Sequence, residues 1–99
     1  LTEEKIYLDP GLTLADLSRH IHIPLYQVSQ TINSRLKTNF YNLVNSYRVE
    51  TAKKMLGDKL TNRKIIDIAL ESGFNNKATF NNVFKRLTGV TPSEYRNSV

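Results

Sequence analysis

The sequence predicts an all-α domain of seven helices. Three observations carry that prediction. Apolar residues recur at three- and four-residue spacing, and no alternating apolar-polar run lies between hairpin turns. Helix-starting and helix-stopping residues punctuate the chain at short intervals, most clearly in Thr91-Pro92-Ser93-Glu94, a capping box with proline at the first helical position. With 99 residues, of which 29 are Leu, Ile, Val or Phe, there is material for one domain with one modest core.

The elements follow in order. Thr2 is placed to cap a short helix over Glu3–Leu8, stopped by Asp9-Pro10-Gly11. Thr13, with Asp16 three residues on, caps a second helix bearing Leu14, Leu17 and Ile21 on one face. Ile23-Pro24 ends it, because the residue before proline disfavours the helical region. Pro24 then suits the first turn of a third helix with Val28, Ile32 and Leu36 inward, and Lys37-Thr38-Asn39 is a turn. A long connecting helix over 40–56 carries Phe40, Leu43, Val44, Tyr47, Ala52, Met55 and Leu56, with Gly57 as its stop. Thr61 opens a fifth helix with Ile65, Ile68 and Ala69 inward, and Gly73-Phe74-Asn75 turns the chain. The sixth helix buries Phe80, Val83, Phe84 and Leu87 and ends at Gly89; the capping box opens a seventh through Tyr95.

Composition excludes several classes of function. Cysteine is absent, so disulfides and thiolate zinc sites are excluded. The only histidines are His20, expected to be exposed, and His22, expected in a turn; neither has a carboxylate or thiol at metal-ligand spacing, so neither a metal nor a cofactor is expected. No convergent nucleophile, base or metal set is visible, and an enzyme is not expected. There is no Asn-x-Ser/Thr acceptor, no signal peptide, and no apolar stretch long enough for a membrane span. The first residue is Leu1, which suggests a piece of a longer protein.

The net charge is +5, unevenly spread. Residues 35–64 hold Arg35, Lys37, Arg48, Lys53, Lys54, Lys59, Arg63 and Lys64 against Glu50 and Asp58. A basic middle on a small domain suits a polyanion, although a solvated basic face is the plain alternative.

The chain also repeats. Leu14 and Leu17 match Ile65 and Ile68 at an offset of 51, as Ile23 matches Phe74; Val28 and Ile32 match Phe80 and Phe84 at 52. Two helix–tight turn–helix units result, over 13–36 and 61–87, the helix-turn-helix layout. Their second helices expose Gln27, Ser29, Gln30 and Asn33 in one unit and Lys77, Thr79, Asn81 and Asn82 in the other. Amides can bond adenine N6 and N7 bidentately, and Lys can bond guanine. A merely solvated helix face more often carries Glu and Lys. These residues are candidates for base reading, with Arg35, Lys37, Arg48, Asn76, Lys85 and Arg86 at module edges as candidates for phosphate.

The stretch Lys64–Arg96, with Ile68-Ala69, Gly73-Phe74, Phe80, Phe84-Lys85, Gly89, Thr91-Pro92 and Tyr95-Arg96, resembles the C-terminal signature of the AraC/XylS family of bacterial transcription regulators. Leu14–Leu36 is similar to the family's first helix-turn-helix, and Arg48, Ala52 and Leu56 to its connecting helix. The resemblance implies two rigidly joined modules reading two major-groove segments of double-stranded DNA. It also implies a cytoplasmic regulator, activator or repressor, with RNA polymerase as a candidate partner and a sensor or effector domain upstream. It adds Tyr26 to the base-facing set. The entry of Leu1–Leu17 is similar to the DNA-binding tails of large membrane-attached bacterial regulators. Departures fall in the first module: Ser18 for the usual Ala, Pro24 for a frequent Ser cap, and His22 for the turn Gly, where a non-glycine at positive φ is uncommon. The rival is a helical protein-interaction module docking on the transcription machinery; it needs an exposed apolar groove, and the sequence shows no spare apolar stripe.

Overall fold

The computed structural model describes residues 5–58, 60 and 62–99. Among them the regular structure is helical: a 3-10 turn (Ile6–Leu8), then α1 (Leu14–Ile21), α2 (Leu25–Ser34), α3 (Phe40–Gly57), α4 (Ile65–Glu71), α5 (Lys77–Thr88) and α6 (Pro92–Ser98). The fold class is the expected one, with six α-helices and a short turn in place of seven helices. The first expected helix is the corrected one. Of its residues, Glu3 and Glu4 lie outside the described ones; Lys5 sits in the left-handed region at φ 52° and Ile6–Leu8 form a 3-10 turn. The proposed cap Thr2 lies outside the described residues, as does Thr61. α4 starts later than a Thr61 cap would place it, with Lys64 as N-cap and no side-chain cap bond.

Side-chain caps set four helix starts. Thr13 Oγ1 accepts from Asp16 N at 3.1 Å while Asp16 accepts from Thr13 N at 3.1 Å, and Thr91 and Glu94 repeat the exchange at α6. Asn39 and Asn76 cap α3 and α5 through Asn42 N and Thr79 N, each at 2.8 Å. Each cap satisfies a helix-end N–H that would otherwise lack a partner.

Packing produces two cores of unequal size. In the second half, Val49, Ala52 and Leu56 of α3, Ile68 and Ala69 of α4, Phe74 and Phe80, Val83 and Phe84 of α5 form one buried cluster, with Met55, Ile65, Val90 and Tyr95 against it. Its aromatic rings follow one another: Phe74–Phe80 at 5.1 Å, Phe80–Phe84 at 5.6 Å and Phe84–Tyr95 at 5.6 Å between centroids, all tilted or edge-on. In the first half only Leu17, Val28 and Ile32 are buried together, with Ile6, Leu14, Phe40 and Leu43 around them. Three residues expected inward are exposed: Leu36 (53%), Leu87 (42%) and Ile21 (39%). α2 stops at Ser34 and the chain turns through Lys37 at φ 53°, which carries Leu36 off the helix face. Leu87 lies on the rim of a shallow groove with Val90 and Tyr95, and Ile21 on the rim of another with Ile23 and Leu43.

Two predictions follow from these contacts. Phe84→Ala leaves a hole in the larger cluster and is expected to cost about 3–5 kcal/mol in urea unfolding; a loss below about 1 kcal/mol would show that Phe84 is not the core residue described. The second concerns acid. The Asp16 and Glu94 carboxyls are held below the ordinary carboxylate value, mainly by the backbone N–H of Thr13 and Thr91 and next by their hydroxyls. A lowered folded pKa contributes stability that is complete above the ordinary value of about 4 and is lost as pH falls through the lower one. Asp16→Asn combined with Glu94→Gln should therefore flatten the acid limb of the melting profile, lowering stability most near neutral pH and least in acid, where the parent has already lost the carboxylates' contribution.

Candidate nucleic-acid interface

The buried stripe of each second helix decides what the helix shows to solvent. In α2, Val28 and Ile32 turn inward; Tyr26, Gln27, Gln30 and Asn33 are exposed and Ser29 is half-buried. In α5, Phe80, Val83 and Phe84 turn inward; Lys77 and Asn82 are exposed, and Thr79 and Asn81 half-buried. Neighbouring polar side chains also pair, Gln27 Nε2 donating to Tyr26 Oη at 3.2 Å and Asn33 Nδ2 to Ser29 Oγ at 3.4 Å.

The first turn of α3 lies between the two helices. Ser29 and Asn33 line a hollow with Asn39 and Phe40. Phe40 is also a wall of the neighbouring cleft, of about 210 Å³, which Tyr41, Asn76 and Thr79 share. The structure thus brings Ser29 and Asn33 to one side of α3's N-terminus and Asn76 and Thr79 to the other. Gln27 lies on the opposite flank of α2, beside Ile21 and Ile23.

Among the phosphate candidates, Arg35, Lys37, Asn76, Lys85 and Arg86 are exposed. The Asn76 side-chain oxygen is engaged as the α5 cap, and Arg86 Nη2 reaches Asn42 Oδ1 at 3.4 Å, tying α5 to the first turn of α3. Arg48 is a correction. It is 9% exposed, and its guanidinium faces the protein: Nε donates to Tyr7 O at 2.7 Å, Nη2 to Asp9 O at 2.9 Å and Nη1 to Asn45 Oδ1 at 3.3 Å. Burial lowers its pKa, opposed by Asp9 and Tyr41, and its donors are spent on the fold. It is not placed to hold a phosphate.

The helix starts divide by charge. α1, α4 and α6 carry an acid in the first turn: Asp16, Asp67 and Glu94. α2, α3 and α5 carry none. An acid there ordinarily stabilises a helix through its dipole, but it also cancels the positive end that attracts an anion. The three acid-free starts belong to the two candidate reading helices and to the helix between them.

The two module turns share a left-handed residue, His22 at φ 60° and Gly73 at φ 103°. In the first module Ser18 Oγ donates to Ile23 O at 2.5 Å while Ile23 N returns to Ser18 O at 3.2 Å, so the departure at Ser18 helps hold the departure at His22. In the second module glycine is required by space. A Cβ on Gly73 would lie 2.6 Å from Tyr7 O and 2.9 Å from Arg48 Nε. The backbone of the N-terminal segment occupies that position; sequence reasoning does not find this approach, whose only signal is the glycine itself.

Sequence reasoning also misses a surface. Leu17, Ile21, Ile23, Val28, Ile32 and Leu43 line an apolar groove of about 330 Å³ on the first module, with Ile21 and Ile23 about two-fifths exposed. The expectation of no spare apolar stripe is therefore corrected: the stripe is assembled from α1, the turn, α2 and α3, and no single helix displays it.

Residues 17–98 match the family model described as a helix-turn-helix domain. The chain belongs to the AraC-type helix-turn-helix family of transcription regulators. It is 33% identical over 92 residues to an uncharacterized HTH-type transcriptional regulator of Staphylococcus aureus (strain COL), covering 93% of this chain and 12% of that protein. It is 33% identical over 85 residues to the uncharacterized HTH-type transcriptional regulator YtdP of Bacillus subtilis (strain 168), covering 86% of this chain and 11% of that one. The chain thus spans about an eighth of the length of these curated relatives. The solved C-terminal domain of AraT, a response regulator from Geobacillus stearothermophilus, matches with a TM-score of 0.84 and 27% identity over 97% of this chain and 78% of that one.

The turns give a paired prediction. Gly73→Ala is expected to cost at least about 2 kcal/mol, since strain at positive φ adds to a clash with backbone. His22→Gly should stay within about 1 kcal/mol of the parent, relief of left-handed strain being set against glycine's looser unfolded chain. Urea unfolding of both variants checks it, and equal losses would contradict the close approach at Gly73.

Proposed function

We propose that this domain binds double-stranded DNA sequence-specifically for transcription regulation, α2 and α5 entering two adjacent major-groove segments on one side of the duplex. The observation that carries the reading is dimensional and chemical together. The body is 42 Å long and 22 Å across, longer than the 34–36 Å that separates successive major-groove segments on one face. Both second helices present amide and hydroxyl side chains, and both have acid-free starts.

In this reading Lys77, Thr79, Asn81 and Asn82 contact base edges from α5, and Tyr26, Gln27, Ser29, Gln30 and Asn33 do so from α2. Arg35, Lys37, Asn76, Lys85 and Arg86 contact phosphates and position the domain without reading sequence. Neither catalysis nor a metal or cofactor has a part. In the cell the domain serves as the DNA-binding part of a longer cytoplasmic regulator that carries a sensor or effector elsewhere, and membrane attachment of that protein is one form this takes. The apolar groove on the first module favours a second, compatible reading, in which a protein of the transcription machinery such as RNA polymerase docks there. Ile23→Ser should then lower transcription from a target promoter and leave DNA affinity unchanged.

Salt and sequence test the DNA reading separately. Affinity for a selected duplex should fall with log salt at about −0.9 per phosphate neutralised, and a flat response would remove nucleic acid as the partner. Asn81→Ala should cost about 1–3 kcal/mol on the preferred site and relax the choice at one base pair. Gln30→Ala should cost less, because α2 has no cation among its base-facing residues while α5 has Lys77. Parallel site selections on the two variants decide it, and greater relaxation by Gln30→Ala would reverse the assignment of the sharper reader.

A further inference from the structure

The N-terminal segment meets both modules within three residues. Ile6 packs against the first-module cluster of Leu17, Val28 and Ile32. Tyr7 is buried, stacks on Tyr47 of α3 at 5.5 Å between centroids, and its hydroxyl shares a 2.8 Å hydrogen bond with Thr51 Oγ1. Tyr7 O and the Leu8 Cα then fill the space beside Gly73, 2.6 and 3.1 Å from where a Cβ would stand. Gly73 lies three residues before Asn76, the cap of α5. From α3, Arg48 holds the segment by two carbonyls, Tyr7 O and Asp9 O. Among the described residues the first-module turn has no such neighbour, and His22 is exposed.

We propose that this segment is a strap that fixes the phase between the two reading helices, and that Arg48 is the positioning residue that clamps it. The proposal rests on the DNA reading above. Its physical need is clear on a duplex. Moving one module along by one base pair displaces its groove segment by about 3.4 Å and rotates it by about 36°, a tenth of a turn. α2 and α5 each pack on α3, and a helix pair joined along one stripe can roll or slide about that stripe with modest side-chain adjustment. The strap adds a second tie, off the α3 axis, from the first core to the turn that launches α5. Backbone sits against backbone at Gly73, so neither side can yield by a change of rotamer. The glycine is the price of that closeness, and His22 shows that the same turn forms without glycine where no strap lies on it.

The inference predicts a property separate from stability and from overall affinity, namely discrimination of spacing. The intact 99-residue chain is titrated with the bipartite duplex it selects and with duplexes whose two segments are one base pair closer or farther apart. The ratio of affinities is read on one protein preparation, so the unfolded fraction cancels. The parent chain should lose tenfold or more at either altered spacing. Tyr7→Ala and Arg48→Lys, the second keeping the charge while giving up the two-carbonyl clamp, should lose threefold or less. Thr51→Val, which deletes only the hydroxyl bond to Tyr7, should fall between and serves where Tyr7→Ala does not fold. Amide exchange at Leu8 and Asp9 reports whether the strap has loosened. A loosened strap with an unchanged spacing ratio overturns the proposal and leaves the DNA reading standing. A parent chain that selects no bipartite duplex overturns the DNA reading, and the proposal with it.

Discussion

The buried guanidinium of Arg48 is the interaction on which the arrangement depends. Removing a full positive charge from water is expensive, and the group is retained only where its donors find good acceptors. Here the acceptors are two main-chain carbonyls of a segment 39 and 41 residues away and the side chain of Asn45 one turn back on the same helix. The Phe74 ring, with its centroid 6.0 Å from the guanidinium carbon, adds a weaker contact from the second-module turn. Each partner is fixed in turn. Tyr7 cannot drop its carbonyl elsewhere while its ring is stacked and its hydroxyl bonded, and Gly73 cannot acquire a side chain while that carbonyl stands where it does. The arrangement has a cost as well, since the Asn45 Nδ2 is buried without a protein acceptor.

The asymmetry between the modules follows from the same centre. The second module shares its core with α3 and surrounds it with a continuous run of aromatic rings. The first has a three-residue core whose α1–turn–α2 edge leaves Ile21, Ile23 and Leu25 partly in solvent. Free energy of local opening scales with the apolar surface an element buries, so α1 and α2 should be the least protected helices of the domain. Ser18 and His22 suit that setting. Their counterparts at an offset of 51, Ala69 and Gly73, are both buried against neighbours that a larger group would displace. A hydroxyl is tolerated in the first module because Ser18 is only half-buried and its Oγ has the Ile23 carbonyl as acceptor, and an imidazole because His22 is exposed.

What the sequence makes legible is what is local. The capping boxes at Thr13 and Thr91 and the inward Phe80 and Phe84 are fixed by residues within one or two turns, so pattern alone finds them. Arg48 reads from sequence as one more cation in a basic stretch, because charge carries no information on burial. Its role is set by carbonyls about 40 positions away, in a segment that reads from sequence as an α-helix and in which Ile6–Leu8 form a 3-10 turn. The apolar groove is illegible for a related reason: its lining comes from four successive pieces of chain, each looking ordinarily amphipathic. The polar faces of α2 and α5 are visible beforehand, but their placement on either side of α3's N-terminus is a tertiary fact.

That placement gives meaning to the distribution of acids at helix starts. If first-turn acids were chosen for helix stability alone, the longest helix and the two reading helices would be natural places for them. Instead α3 and α5 begin on neutral Asn caps and α2 on Pro24, while α1, α4 and α6 take Asp or Glu. A first-turn acid is worth only about 0.3–1 kcal/mol to a helix at the surface. Set against a phosphate within one Debye length, about 8 Å at physiological salt, the same carboxylate would oppose binding. The starts of α2, α3 and α5 keep their positive ends bare, while those of α1, α4 and α6 carry an acid that stabilises the helix. Docking of another protein gives no reason to sort helix starts by sign in this way, so the pattern argues for a polyanion at the two reading helices and α3 independently of any single side chain.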